Sequence, residues 1–284
     1  MTTPADCARP RRSEVTAAYD LGVDAYVALW SPVILPAAQA LLAALDPGPG
    51  ARVLDVGTGS GALVSSIRAA AADVTVVGLD ASAGMLRRCR SDTGIPAVCC
   101  DAQSLPIRDA AFDVVILAFV LFHLGDPAQA LAESARVLTT GGHVGTATWA
   151  RDDSMEAETV WDETLTEAGA PPLPASRVDA VLDSEDAIGR LLACAGLRAA
   201  RIWREPLRHR WDLSTYYRFA TGAGRNRQRL QQLDTGTRSQ VLQRALNRLR
   251  ALDPDAFAWS GEAICAVATL PVRSANRAGG PNTP

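Results

Sequence analysis

Short apolar runs alternate with stretches of helical period through the first half of the chain. Residues 51–56, 74–79, 98–100, 113–118 and 143–149 read as strands, each bounded by turn-forming residues. The run Val114-Val115-Ile116-Leu117 is continuously apolar, the pattern of a parallel strand covered on both faces. Between these runs, residues 61–71, a segment bearing Met85, Leu86 and Cys89, and a segment from Pro127 to about Leu138 read as helices. Ser82 and Asp126 are placed to cap two of them, and Pro127 takes a first helical position. Helices over 13–30 and 35–45 precede the first strand, the second stopped by Asp46-Pro47-Gly48-Pro49-Gly50. This alternation of strand and helix predicts an α/β fold with a doubly wound parallel sheet.

The pattern loosens after Ala150. Pro171-Pro172-Leu173-Pro174 reads as an extended linker, residues 184–195 as a helix, 197–203 as a sixth strand and 263–270 as a closing strand. Helices over 212–220 and 228–252 fall between the last two strands, so they are expected to form a cap and not an independent domain. The ends, 1–12 and 273–284, are polar and rich in small residues and Pro, and are expected to be disordered tails. One domain over 13–272 is expected, with its core at 51–150 and cap helices at 13–45 and 212–252.

The chemistry concentrates in Val53-Leu54-Asp55-Val56-Gly57-Thr58-Gly59-Ser60-Gly61, a strand, a tight glycine turn and a helix start. Glycines let the backbone bend sharply and approach a ligand closely. Gly57, Gly59 and Ala62 also satisfy a dinucleotide fingerprint, so the spacing alone does not choose a cofactor. Asp55 weighs against a diphosphate, because a carboxylate there would repel it and attract an ammonium or sulfonium. Two more acids, Asp80 and Asp101, close the second and third apolar runs. In an open α/β sheet they would stand beyond the carboxyl ends of strands, where ligands bind.

The ordered series of glycine loop, acid, acid, buried strand, Phe122-His123-Leu124 and Gly141-Gly142 resembles the class I S-adenosylmethionine (SAM) dependent methyltransferases of the small-molecule, Methyltransferase-11/UbiE-like type. The resemblance is strong over residues 50–150. It implies a Rossmann-like seven-stranded sheet with an antiparallel last strand, and SAM as cofactor. It assigns Asp55, Gly57, Thr58, Gly59 and Gly61 to the amino-acid end of SAM, Asp80 and Ala81 to the ribose, and Asp101 and Ala102 to the adenine. Met85 would pack on the adenine or in the core. Ala118 and Phe119 would face the sulfonium, where an aromatic ring gains from a cation, although Phe119 could equally turn inward. The acceptor pocket is expected to draw on Tyr19, Tyr26, Trp30, His123 and His209. His123 is the candidate general base, with pocket lining or loop capping as its plainer role.

The implied activity is methyl transfer to a small-molecule acceptor in biosynthesis, including specialised metabolism. The alternative is a SAM-binding protein of the same fold that transfers no methyl, such as a cyclase or a regulatory partner. A net charge of −3 weighs against a nucleic-acid surface. The arginines at 225, 227, 229, 238, 244, 248 and 250 read as a solvated helix face, with an anionic substrate as the other reading. The six cysteines show no metal spacing, and no metal is expected. No signal peptide is evident, and the longest apolar run, 114–122, is too short to span a bilayer. A cytoplasmic protein that binds no membrane is expected; the sequence leaves its oligomeric state open.

Overall fold

Val53 and Val114 face one side of the central sheet and Leu54 and Val115 the other, so neighbouring residues enter two separate apolar cores. The computed structural model describes residues 14–153, 155–172 and 182–272. The two expected tails, and Leu173 and Pro174 of the expected linker, lie outside the described residues.

The strands are β1 (Arg52–Val56), β2 (Thr75–Asp80), β3 (Ala97–Cys99), β4 (Phe112–Ala118), β5 (Leu138–Asp153), β6 (Arg198–Arg210) and β7 (Ala258–Thr269). They form one seven-stranded sheet in the order β3-β2-β1-β4-β5-β7-β6. The strands from β3 to β5 pair in parallel, and β7 runs antiparallel to both β5 and β6. Strand order reverses between β1 and β4, which puts the topological switch point at their carboxyl ends.

The helices are α1 (Glu14–Ala25), α2 (Ser31–Leu45), α3 (Val64–Ala70), α4 (Ala83–Thr93), α5 (Pro127–Val137), α6 (Glu156–Glu167), α7 (Glu185–Cys194), α8 (Leu213–Gly222), α9 (Gly224–Gln231) and α10 (Thr235–Arg250). Ser82 caps α4 by accepting from the Met85 amide, and Asp126 caps α5 by accepting from that of Gln129, as the sequence predicts. Helices α2, α3, α4 and the cap share one core; α5 and α7 cover the other face.

Four expectations need correction. The segment over 13–30 is not one regular helix: α1 is kinked at Gly22 and continues into a π turn over Tyr26–Trp30. Strands β5 and β6 run well beyond 143–149 and 197–203, because antiparallel pairing with β7 extends them. Arginines at 198, 201, 204, 208 and 210 mask β6 as a strand; charge of this kind blunts an edge strand against further pairing. The segment over 228–252 is two helices, divided where Asp234 accepts from the Gly236 and Thr237 amides to start α10.

The last correction concerns apolar length. Val15–Leu45, and not 114–122, is the longest apolar element and would reach across a bilayer by length and composition. Along α2 this hydrophobicity is spent on the core: Val33, Ile34, Ala37, Ala38, Leu41, Leu42 and Leu45 are all buried.

Candidate cofactor and acceptor site

The chain leaves β1 at Val56 and turns at once through Gly57 and Gly59, at φ +73° and +54°. A Cβ on Gly57 would stand 2.1 Å from Val120 Cγ2, so the loop lies directly against the β4 exit. The Gly57 and Thr58 amides both donate to the Leu79 carbonyl, at 2.7 and 2.9 Å, which ties the loop to the end of β2. At Gly59 a Cβ would meet nothing within 4 Å, so the loop opens there onto free space.

That space is a cleft of about 470 Å³ at the switch point, open to solvent. The glycine loop and Asp55 form one wall, Ala118 and Phe119 another, and Tyr26, Ser31, Ile34, Leu35 and Ala38 the third. Among the described residues, none lining it is basic.

Asp55 is 3% exposed, and the Thr58 hydroxyl donates to it at 2.7 Å. Among the described residues no basic side chain pairs with it. Burial pushes its carboxyl up to about 6, against the hydrogen bond from Thr58, and the nearby Asp80 adds to the rise. A buried carboxylate without a counter-cation, on the wall of a cleft, is the donor set that an ammonium ligand completes.

Asp80 accepts from the Gly59 amide through Oδ2 at 2.9 Å and from the Ser82 amide through Oδ1 at 2.7 Å. Burial raises its carboxyl as well, opposed by those backbone hydrogen bonds. Asp101 is exposed at the end of β3 and accepts from the amide and the side chain of Gln103. Ala102 packs at the edge of the second core, and Met85 is buried in α4. Gly61, at φ +80°, lies where a Cβ would press on Cys89 Sγ at 2.9 Å, so it serves helix packing beneath the loop.

Phe119 carries the most unusual backbone at the site. It is buried, aromatic and at φ +59°, a conformation that bulky residues rarely adopt. It both lines the cleft and joins the core, its ring 4.8 Å from that of Trp149, so the two readings of this residue are compatible.

Helix α1 and the π turn bring three of the expected acceptor residues, Tyr19, Tyr26 and His123, together. The Tyr19 hydroxyl is 2.9 Å from Nε2 of His123, in a short 3₁₀ turn (Leu121–His123) after β4. The rings of Tyr19 and Tyr26 meet edge-on at 5.2 Å. Desolvation of the ring lowers His123 to about 4, so its imidazole is neutral at physiological pH, and part of the residue stays exposed. Burial, with a contribution from Asp80, raises the Tyr19 phenol, which therefore keeps its proton. In the tautomer with Nδ1 protonated, the phenol donates to Nε2.

Trp30 lies farther out, in an aromatic cluster absent from the sequence reading. It stacks on Phe219 and meets Trp149 and Trp259 at 6.1 and 5.5 Å. His209 does not join the pocket: it sits in β6 against Trp211, which stacks on Phe219. The arginine-rich segment is a solvated face only in part: Arg225, Arg244 and Arg250 are exposed, but other arginines are used within the cap. Arg229 is 5% exposed and donates to Asp162, Thr166 and the Ala170 and Pro171 carbonyls. Arg238 donates to backbone carbonyls, and Arg244 and Arg248 pair with Glu167, so these side chains bind cap helices together.

Comparison with known proteins agrees with this architecture. A family model described as a methyltransferase domain matches residues 54–145, from β1 into β5. The stretch 54–145 is therefore similar to methyltransferase domains. A demethylmenaquinone methyltransferase of Corynebacterium kroppenstedtii is 40% identical over 100 residues, covering 35% of this chain and 42% of that protein. A second, from Renibacterium salmoninarum, is 41% identical over 123 residues, covering 42% and 50%. The chain thus matches half or less of the length of these relatives. Among solved structures, the [4+2]-cyclase SpnF superposes with a TM-score of 0.54 at 20% identity, covering 93% of this chain and 98% of the cyclase. That likeness is one of fold. The matched stretch ends at residue 145, so α1, the π turn and the cap helices lie outside it.

Proposed function

We propose that this protein binds SAM in the glycine-loop cleft and transfers its methyl group to a small, neutral, ring-bearing acceptor. The observation that carries the reading is Asp55, a buried acid with no counter-cation, on the cleft wall beneath a loop whose open face is Gly59. An α-ammonium group supplies the missing charge, Asp80 has lone pairs left for a ribose diol, and Phe119 stands on the opposite wall. When bound, SAM supplies a methyl carbon on a sulfonium leaving group, open to direct displacement.

The chain's own contribution is then mostly positioning and exclusion of water. Tyr26 lines the cleft, and the Tyr19–His123 pair packs beside it with neutral, partly aromatic surface. The acids at positions 55 and 80 disfavour an anionic acceptor. Where the acceptor is a hydroxyl or phenol, its proton passes to the Tyr19 oxygen as the Tyr19 proton passes to Nε2 of His123 and the methyl group arrives. The demethylmenaquinone relatives carry ring substrates in their names, which supports a ring-bearing acceptor here.

The fold likeness to a [4+2]-cyclase keeps one other reading in view, a protein of this fold that transfers no methyl. Incubation with methyl-labelled SAM and a panel of phenolic, quinol and amine acceptors separates the two. Methyl transfer predicts S-adenosylhomocysteine (SAH) formed in step with a labelled product. Tight SAM binding with no SAH from any acceptor class would move the assignment to the non-transferring reading.

A further inference from the structure

Tyr19 and Asp20 are neighbours on one turn of α1, yet they reach two different elements at the carboxyl edge of the sheet. Successive helical side chains diverge by roughly 100°. Tyr19 therefore reaches across to His123 beyond β4, while Asp20 turns back onto the start of α4 beyond β2. Asp20 Oδ1 accepts from the Ser82 hydroxyl at 2.6 Å and from the Gly84 amide at 2.7 Å. A carboxylate at a helix N-terminus is favoured by the dipole, and hydrogen bonds to a charged acceptor are the strong ones.

The approach is close enough to require glycine. A Cβ on Gly84 would lie 2.9 Å from Asp20 Oδ1, 3.2 Å from Asp20 Cα and 3.1 Å from Val23 Cγ2. The same Ser82 gives its amide to Asp80 at 2.7 Å. One residue thus joins the acid assigned to the ribose with the acid that anchors α1. The far end of α1 has the features of a hinge: a kink at Gly22 followed by the π turn over Tyr26–Trp30.

We infer that Asp20 is the positioning residue of the acceptor site: it locks α1, as a lid, onto the Ser82–Gly84 start of α4 and so holds Tyr19 against His123. The inference deepens the methyl-transfer reading, because it links the cofactor wall to the acceptor wall through one helix. Opening the lock frees Tyr19 from His123 and opens the acceptor mouth; closing it brings the pair together.

The test reads His123 directly, by nitrogen NMR of its imidazole as a function of pH, with the signal assigned from His123→Gln. In the wild type the ring should titrate below its ordinary value, toward about 4. Tyr19, Tyr26 and Asp80 are the titratable groups facing the Tyr19–His123 contact, and the variants leave all three in place. Asp20→Ala should bring the titration up toward the ordinary histidine value of about 6.5. Gly84→Ala should do the same without touching Asp20, and it carries the test if Asp20→Ala fails to fold. Asp20→Asn keeps an acceptor oxygen and should stay near wild type. In turnover, Asp20→Ala should lower kcat by ~10-fold or more, with the KM for SAM changing by less than about 3-fold. The NMR readout needs no turnover, so it stands or falls separately from the methyl-transfer reading. A His123 that still titrates at its wild-type value in folded Asp20→Ala and Gly84→Ala overturns the lock, as does an Asp20→Asn indistinguishable from Asp20→Ala.

Discussion

The hydroxyl of Tyr19 and Nε2 of His123 stand 2.9 Å apart across 104 residues of sequence, joining a helix outside the stretch matched to methyltransferase domains to the turn after β4. Neither group is ionised at neutral pH, since desolvation lowers the imidazole to about 4 and raises the phenol. The pair is thus a neutral hydrogen-bonding couple that an acceptor hydroxyl can enter.

If His123 takes the acceptor's proton, His123→Ala should lower turnover on a hydroxylated acceptor by roughly 10²–10⁴-fold. SAH affinity should barely change. Activity should return in part as pH rises toward the acceptor's own pKa. Near-normal rates for His123→Gln at neutral pH would reduce the side chain to pocket lining.

Cofactor binding should depend on pH through Asp55. Its carboxyl sits at about 6 in the free protein, above its ordinary value of 3.8. Below that point it is protonated, and an ammonium ligand must displace the proton to pair with it. SAH should therefore bind about tenfold more weakly at pH 5 than at pH 7, with no further gain above pH 7. Calorimetry at the two pH values decides it; equal affinities would mean that Asp55 does not meet the ammonium.

The same two groups act oppositely on stability. Asp55, raised in the fold, contributes stability that is present below its unfolded value of 3.8 and lost as pH rises through about 6. His123, lowered in the fold, contributes stability that is present above 6.5 and lost as pH falls through about 4. Between pH 4 and 6 the two slopes nearly cancel. Replacing His123 with Gln should leave the Asp55 slope alone, so stability should fall with rising pH across that window relative to wild type. Denaturant midpoints at pH 4.5 and 6 measure it, and parallel curves for the two proteins would contradict it.

Much of this fold was legible in the sequence. The glycine run, the acids at 55 and 80, the caps at Ser82 and Asp126 and the apolar run in β4 are local signals, each fixed by its immediate neighbours. What escaped was non-local. Asp20 reads as one more helix acid until α4 is packed against it. Trp149, Trp211, Phe219 and Trp259 come from β5, the end of β6, α8 and β7, and only the antiparallel arm of the sheet gathers them. Arg229 looked solvated because its acceptors on α6 and the following turn lie some sixty positions away. His209 looked available because its neighbour Trp211 gives no linear hint of stacking inward on Phe219.

Arg229→Met should show how strongly the cap depends on such contacts. It would strand the Ala170 and Pro171 carbonyls and the Thr166 hydroxyl, at a cost of about 2–3 kcal/mol. Arg225→Met, at an exposed position, should cost within about 0.5 kcal/mol. Chemical denaturation of the two variants makes the comparison; equal losses would refute the clamp.

The loop geometry yields a sharper contrast. Gly57→Ala places a Cβ 2.1 Å from Val120 Cγ2 at φ +73°, and should cost about 2–4 kcal/mol together with cofactor binding. Gly48→Ala meets nothing within 4 Å and should leave both near wild type.

The central claim, that the cleft at the β1–β4 switch point is a SAM site built on Asp55, is tested most directly by titrating SAH into the folded protein and its Asp55→Ala variant in a calorimeter at pH 7. The account predicts saturable one-to-one binding to the wild type and a loss of roughly 10-fold or more in the variant, as expected for a buried charge-assisted contact of about 1.5–3 kcal/mol. No heat of binding to the folded wild type, or equal affinity for both proteins, would contradict it.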